Sequence, residues 1–191
     1  MKFKSLTILI CVFFSYTLSA QIPMGTKYLG GTVGFSSTKA KTDGADAFTE
    51  WSLAPEFGYF FKDNMALGLG IGLTGAKAGD TELNGFGGMV YVRKFWNASD
   101  NFHVYAGLNV EYGSTKLTFG GNDSSLNNFG AALDLGIWYN VSDKWTVAGR
   151  LGTLGFASSS NPDDDTDGET AFGLNVSTVT TPFNLGLYYS F

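Results

Sequence analysis

The feature that most constrains this chain is a period-two alternation of apolar with small or polar residues, which recurs from residue 28 to the C-terminus. In the tract 65–74, Met65, Leu67, Leu69, Ile71 and Leu73 alternate with Ala66, Gly68, Gly70, Gly72 and Thr74. In 50–61 the apolar series is Trp51, Leu53, Pro55, Phe57, Tyr59 and Phe61, and the other series is Glu50, Ser52, Ala54, Glu56, Gly58 and Phe60. Successive side chains of a strand point to opposite faces, so such tracts form strands with one apolar side. The same rhythm marks 28–36, 86–93, 102–112, 129–139, 145–152 and 183–191, giving eight predicted strands.

The connections between these tracts alternate in length. Links after the second, fourth and sixth strands are short and polar, around Asp63 and Asn64, 97–101, and Ser142, Asp143 and Lys144. Links after the odd strands are long, at 37–49, 75–84, 114–127 and 154–180. Short turns on one side and longer loops on the other, with an even strand count, predict an all-β, eight-stranded antiparallel up-and-down transmembrane β-barrel. Strands of about 10 residues reach across the hydrocarbon when tilted. Tyr59, Phe61, Trp96, Phe102, Tyr139, Trp145 and Phe191 gather towards the short-turn side, where an interfacial girdle belongs.

Composition agrees with this reading. Aromatic residues make up 16% of the chain and charged residues only 15%, against an ordinary charged share of roughly 25%. The 26 glycines are about twice the usual ~7%. After the first twenty residues no apolar run approaches the ~18 residues of a membrane helix. A transmembrane barrel reconciles these facts by spreading its apolar residues over alternate positions. A soluble barrel or sandwich also alternates, but the second face here is mostly Gly, Ala, Ser and Thr, a weak exterior in water.

Residues 1–20 read as a cleaved secretory signal: basic Lys2 and Lys4, an apolar run over 6–14, and a small-residue exit at Leu18, Ser19 and Ala20. The alternative is an N-terminal anchor, although the apolar run is short for a spanning helix. Cleavage after Ala20 leaves 21–191 as the barrel domain and removes Cys11, the only cysteine, and with it any disulfide or thiol chemistry. Loss of Lys2 and Lys4 makes the mature chain two charges more acidic than the formal −5 of the whole. An acidic chain with no basic cluster is not built for nucleic acid.

The tracts Pro55-Glu56-Phe57-Gly58-Tyr59-Phe60, Ala66-Leu67-Gly68 and Leu185-Gly186-Leu187-Tyr188-Tyr189-Ser190-Phe191 resemble the small eight-stranded outer-membrane barrels of the OmpA/OmpX kind. The resemblance implies residence in a Gram-negative outer membrane, as a monomer, in contact with its lipid and lipopolysaccharide. It also implies handling by the barrel-assembly machinery, with Leu187, Tyr189 and the terminal Phe191 as the insertion signal.

Two places break the rhythm. Pro55 cannot donate a ladder hydrogen bond, which predicts a bulge. Between Ala171 and Phe183 the apolar phase shifts from even (Phe172, Leu174, Val176) to odd, so the region from 171 to 178 reads as an extramembrane strand extension.

Chemistry has few places to reside. Glu56, Arg93, Glu111, Asp134 and Arg150 fall on the lumen face, and an eight-stranded lumen is just wide enough to be filled by side chains. The charges are expected to pair as a polar plug, because unpaired buried charge is costly. Gly68, Gly70 and Gly72 would leave room for Glu56 and Arg93. A gated narrow pore is the sharper alternative. For a lipid-modifying enzyme, the one histidine, His103, falls at the wrong end, after a short turn, and no Gly-x-Ser-x-Gly tract is present. Asp163, Asp165, Asp167 and Gly168 match the first half of a calcium loop, with Glu169 beside them, but Leu174 occupies the position of the bidentate glutamate. A solvated acidic loop is the plainer reading there. No cofactor and no extracellular ligand is legible, and the expected role is structural or surface-directed, with a narrow channel and a lipid-directed enzyme as alternatives.

Overall fold

Each alternating tract is a strand, and backbone hydrogen bonds join the strands into a closed ring. The computed structural model describes residues 21–39, 46–162, 168–176 and 185–191. The expected signal, 1–20, lies outside the described residues, as do Asp163, Asp165 and Asp167. The strands are β1 (Lys27–Lys39), β2 (Ala47–Lys62), β3 (Met65–Ala78), β4 (Thr81–Asn97), β5 (Phe102–Phe119), β6 (Asn122–Asn140), β7 (Trp145–Ser160), β8 (Glu169–Val176) and β9 (Leu185–Ser190). Each pairs antiparallel with its neighbour from β1 through β7, and β9 closes the ring between β7 and β1. The last residue completes the closure: the Phe191 and Lys27 backbones exchange hydrogen bonds of 2.9 and 3.0 Å.

The eighth stave consists of two pieces, both on β7. The upper half of β7 (152–159) pairs with β8 and its lower part (145–149) with β9. The register of β6 on β7 shifts between Leu135 and Gly136, leaving Leu151 as an extra residue. Below it Thr146 and Ala148 point inward; above it Thr153 does, where its hydroxyl reaches Asp134. The change of phase seen along the last tract is therefore matched by a change of phase on β7.

The expected bulge at Pro55 does not occur. Pro55 stands opposite Gly31, and the register of β2 on β3 is the same at Leu53 as at Glu56. Gly31, at φ 148°, lets the strands pass closely; a Cβ there would collide with the Ala54 carbonyl oxygen. The β2–β3 shift lies instead between Phe60 and Lys62, beside the turn in which Asn64 has φ 57°.

The long outer loops are also corrected. Much of 75–84 and 114–127 is strand, closed by tight turns at Gly79 and at Gly120-Gly121, glycines that all take positive φ. Positive φ is what a short hairpin turn needs if it is to follow the right-handed twist of its strands. The reason these tracts look like loops in the sequence is that their apolar residues change sides. Through the lower two-thirds of the barrel, large apolar residues point outward: Leu67, Leu69 and Ile71 of β3 and Val90 of β4 are each more than half exposed. In the extensions Phe48, Ala76, Leu83, Leu117 and Leu126 fall on the opposite phase, and Lys77, Glu82, Lys116 and Asp123 take the outer face.

This inversion marks the edge of the membrane. Phe35, Trp51, Phe86, Tyr112 and Phe129 are the last outward aromatics before it. Tyr59, Phe61, Trp96, Tyr139, Trp145 and Phe191 form the exposed girdle at the short-turn end, with Phe102 half-buried among them. Trp51 and Phe61 are about ten positions apart, matching the ~9–11 residues of a spanning strand. The apolar band between the girdles is far larger than a water-soluble monomer leaves exposed.

Candidate functional site: the barrel interior

The lower lumen is filled by rings. Tyr28, Phe60, Tyr91, Phe95, Tyr105, Trp138 and Tyr188 are all buried, contributed by β1, β2, β4, β5, β6 and β9. Trp138 is central, with ring centroids 5.1 Å from Tyr28, 5.4 Å from Phe95 and 4.9 Å from Tyr188. Edge and tilted pairs of this kind contribute about 0.5–1.5 kcal/mol each beyond their burial. Glycines make the packing possible: a Cβ at Gly58, Gly68 or Gly136 would fall on the rings of Tyr28, Tyr91 and Tyr105. The filling expected from the sequence was a polar plug; the observed floor is aromatic, and the charges lie above it. The signal for it was present in the lumen-facing series, where Phe60, Tyr91, Tyr105, Trp138 and Tyr188 break the run of small residues.

The plug is fastened from below. Ile22 packs on the aromatic cluster, its N–H donates to Asn64 Oδ1 at 2.9 Å, and its carbonyl accepts from the Asn64 N–H at 3.0 Å. Met24 N–H donates to Asp63 Oδ1 at 2.8 Å, so the β2–β3 turn holds the N-terminal segment against the barrel end. His103 is fully buried at this level. Its Nδ1 donates to Asn97 Oδ1 at 2.8 Å and its Nε2 accepts from Asn140 Nδ2 at 3.2 Å. Asn140 Oδ1 in turn accepts from the Thr146 hydroxyl at 2.8 Å. His103 thus ties two short turns together at the short-turn end, and among the described residues its ring nitrogens meet asparagine amides rather than a nucleophile.

Among the described residues, the lumen charges meet in two close pairs. Arg93 and Glu56 lie 2.8 Å apart with side-chain exposures of 4% and 7%. Arg93 also rests over the Tyr91 ring, 3.9 Å from its centroid, and 5.2 Å from that of Tyr105. Of the three glycines expected to make room, Gly70 does so for Glu56, whereas Gly68 serves Tyr91 and Gly72 faces open space. Gly107 does the same for Arg93. Arg150 reaches buried Asp134 at 3.4 Å, and Thr153 donates to the same carboxylate at 3.1 Å. Glu111 joins neither pair. Its cross-strand neighbours are Met89 and Gly130, and its carboxylate lies over Gly130. Above the plug Glu56, Arg93, Glu111 and Arg150 border a cavity of about 360 Å³.

Of the proposed calcium ligands, only Glu169 is described; it is exposed at the start of β8. Among the described residues no cluster of three or more His, Cys, Asp or Glu has the arrangement of a metal site. Leu187 and Phe191 point outward, and Tyr189 stacks on Phe191 with centroids 6.3 Å apart and packs edge-on against Trp145 at 5.1 Å.

A closed antiparallel ring with an apolar belt, two aromatic girdles and a filled interior defines a transmembrane β-barrel of the outer-membrane type. The chain belongs to the outer membrane protein beta-barrel domain family, whose profile matches residues 5–191. Its fold is similar to Neisserial surface protein A, with a TM-score of 0.54 at 13% identity over 87% of this chain and 97% of that one. It is similar also to the N-terminal barrel domain of Pseudomonas aeruginosa OprF, with a TM-score of 0.50 at 11% identity over 88% of this chain and 98% of that one. At these identities the likeness is one of fold. No curated protein matches the chain in sequence.

Proposed function

We propose that this protein is a closed barrel of the Gram-negative outer membrane with a structural or surface-directed role, neither conducting nor catalytic. The observation that carries this reading is the aromatic floor. The ring of rings around Trp138 spans the lumen beneath the Glu56–Arg93 pair, and Ile22 backs it from below. A solute would have to displace several interlocked side chains, not one flexible gate. Above the membrane, the β2–β6 extensions carry sheet well past the upper girdle and offer a rigid platform to the exterior.

On this reading residues 1–20 direct export and are removed after Ala20, and Leu187, Tyr189 and Phe191 present the final strand to the assembly machinery. The mature barrel then works as a monomer among outer-membrane lipid and lipopolysaccharide. Single-channel recording in planar bilayers tests the closed state. The purified barrel is expected to give no steady conductance, while a Phe95→Ala/Trp138→Ala variant, with its rings removed, is expected to give a small one. Reproducible conductance from the unaltered barrel would replace this reading with that of a narrow channel. Turnover of extracted outer-membrane lipids, abolished in His103→Ala, would replace it with that of an enzyme.

A further inference from the structure

The cavity above the plug has features that a merely filled lumen does not require. Its volume, about 360 Å³, lies within the range of small-molecule sites. Glu56, Arg93, Glu111 and Arg150 all border it. Within that set Arg93 is matched by Glu56 at 2.8 Å, and Arg150 by Asp134 from behind at 3.4 Å. One lining carboxylate remains. Glu111 has no ion-pair or hydrogen-bond partner among the described residues, its side chain is accessible from the lumen, and Gly130 opposite supplies the space in which it lies. The group is therefore held at the wall of a chamber whose other charges cancel.

The rest of the wall is mostly glycine, apolar and aromatic residues, with Thr32 and Asn128 among them. Met89 is the direct cross-strand neighbour of Glu111, and Tyr105 and Tyr188 border the same space. Above it, the inverted phase of the extensions turns Leu126, Leu117 and Leu83 towards the chamber axis rather than away from it. Leu126 lies four positions up β6 from Gly130, about 13 Å at the rise of a strand. An anionic group thus stands below a strip of apolar surface and above the aromatic floor, with a thioether alongside.

We propose that this chamber is a binding site, open to the exterior, for a small organic cation with an apolar body, an arylalkylammonium in chemical class. Glu111 is its counter-ion, and Met89 beside it and the leucine strip above it receive the apolar part. The site does not depend on the closed-barrel role: conductance decides closure, and binding isotherms decide this.

The experiment is calorimetric titration of the barrel in lipid nanodiscs, with empty nanodiscs subtracted. The probes are 4-phenylbutylammonium, 4-phenylbutanol and 4-phenylbutyrate, which share one apolar body and differ in charge. The expected result is saturable one-to-one binding of the ammonium, at least tenfold tighter than the alcohol, with no measurable binding of the carboxylate. Glu111→Gln should weaken the ammonium at least tenfold and leave the alcohol unchanged, with heat-modifiable gel migration verifying that the variant folds. Glu50→Gln, which removes a carboxylate higher up the same mouth, should change affinity less than twofold. Equal binding of ammonium and alcohol, undiminished binding in Glu111→Gln, or an equal loss in Glu50→Gln would overturn the proposal. The first would mean apolar partition alone and the last a diffuse acidic field.

Discussion

Removing one member of the Glu56–Arg93 pair should cost far more than removing both. Each side chain is more than nine-tenths buried, and the two charges meet at 2.8 Å over the aromatic floor. Glu56→Gln leaves a guanidinium without its counter-charge, and losses of this kind run to about 3–5 kcal/mol. Two details place the expected cost near the lower end, about 3 kcal/mol. Arg93 keeps its contacts with the Tyr91 and Tyr105 rings, each worth roughly 0.5–2 kcal/mol. The existing pair is also imperfect: the 2.8 Å approach of Arg93 Nη1 to Glu56 Oε2 is not aligned as a hydrogen bond, and Arg93 Nε has no hydrogen-bond partner among the described residues. Arg93→Met should cost about 3–5 kcal/mol, because it strands the carboxylate and forfeits the ring contacts together. The double variant Glu56→Met/Arg93→Met should recover to within about 1–2 kcal/mol of the parent, as apolar replacement of a buried pair is often nearly neutral. Reversible unfolding by guanidinium in phospholipid vesicles, followed by tryptophan fluorescence, measures the parent, Glu56→Met, Arg93→Met and the double variant as the four corners of the cycle, with Glu56→Gln alongside. Single costs below about 1 kcal/mol that simply add would refute the reasoning, showing that the lumen water screens the pair as it would a surface bridge.

Three further outcomes follow from the same geometry. Trp138→Ala removes the ring that touches Tyr28, Phe95 and Tyr188 and should cost about 3–5 kcal/mol in the same assay, with the heat-modifiable band melting at lower temperature. Deleting Phe191 removes the backbone exchange with Lys27 that closes the ring and should slow assembly, seen as a persistent unfolded band in a folding time course. At the β5–β6 hairpin, Lys116 at 2.7 Å and the Thr118 hydroxyl hold the Asp123 carboxyl below its ordinary titration range. A depressed acid contributes its stabilisation above the unfolded-state pKa and loses it as pH falls through the folded-state value. The exposed hairpin's amide protection factors, corrected for intrinsic exchange, should therefore fall below that point while the barrel stays intact, and Asp123→Asn should remove that change in protection.

Much of this fold is written locally in the chain. Alternation over tracts such as 65–74 fixes strand, face and the outward apolar belt, because side-chain direction in a strand has period two whatever the strand pairs with. The lumen position of Glu56, Arg93, Glu111, Asp134 and Arg150 follows from the same rule, as does the placing of His103 at the short-turn end. The break in phase after Ala171 was legible too, and β8 occupies that tract. What local rhythm cannot supply is which lumen residues reach one another. Arg93 pairs across the sheet with Ala66 and Gly107, yet its long side chain extends to Glu56, whose own neighbour is Gly70. That contact depends on the stagger of neighbouring strands and on space left by Gly70 and Gly107 on the strands beside them.

The extensions were obscured for a related reason. Phe48, Leu83, Leu117 and Leu126 keep the strand period but reverse its phase, and a reversed phase has meaning only once the membrane edge is known. The aromatic floor likewise comes from six separate strands that the sequence scatters from Tyr28 to Tyr188. The sequence by itself determined a strand-built membrane protein with an apolar exterior. Closure of the ring decided the rest: it turned scattered rings into a floor, matched two of the lumen's carboxylates with arginines, and left Glu111 at the wall of the chamber above.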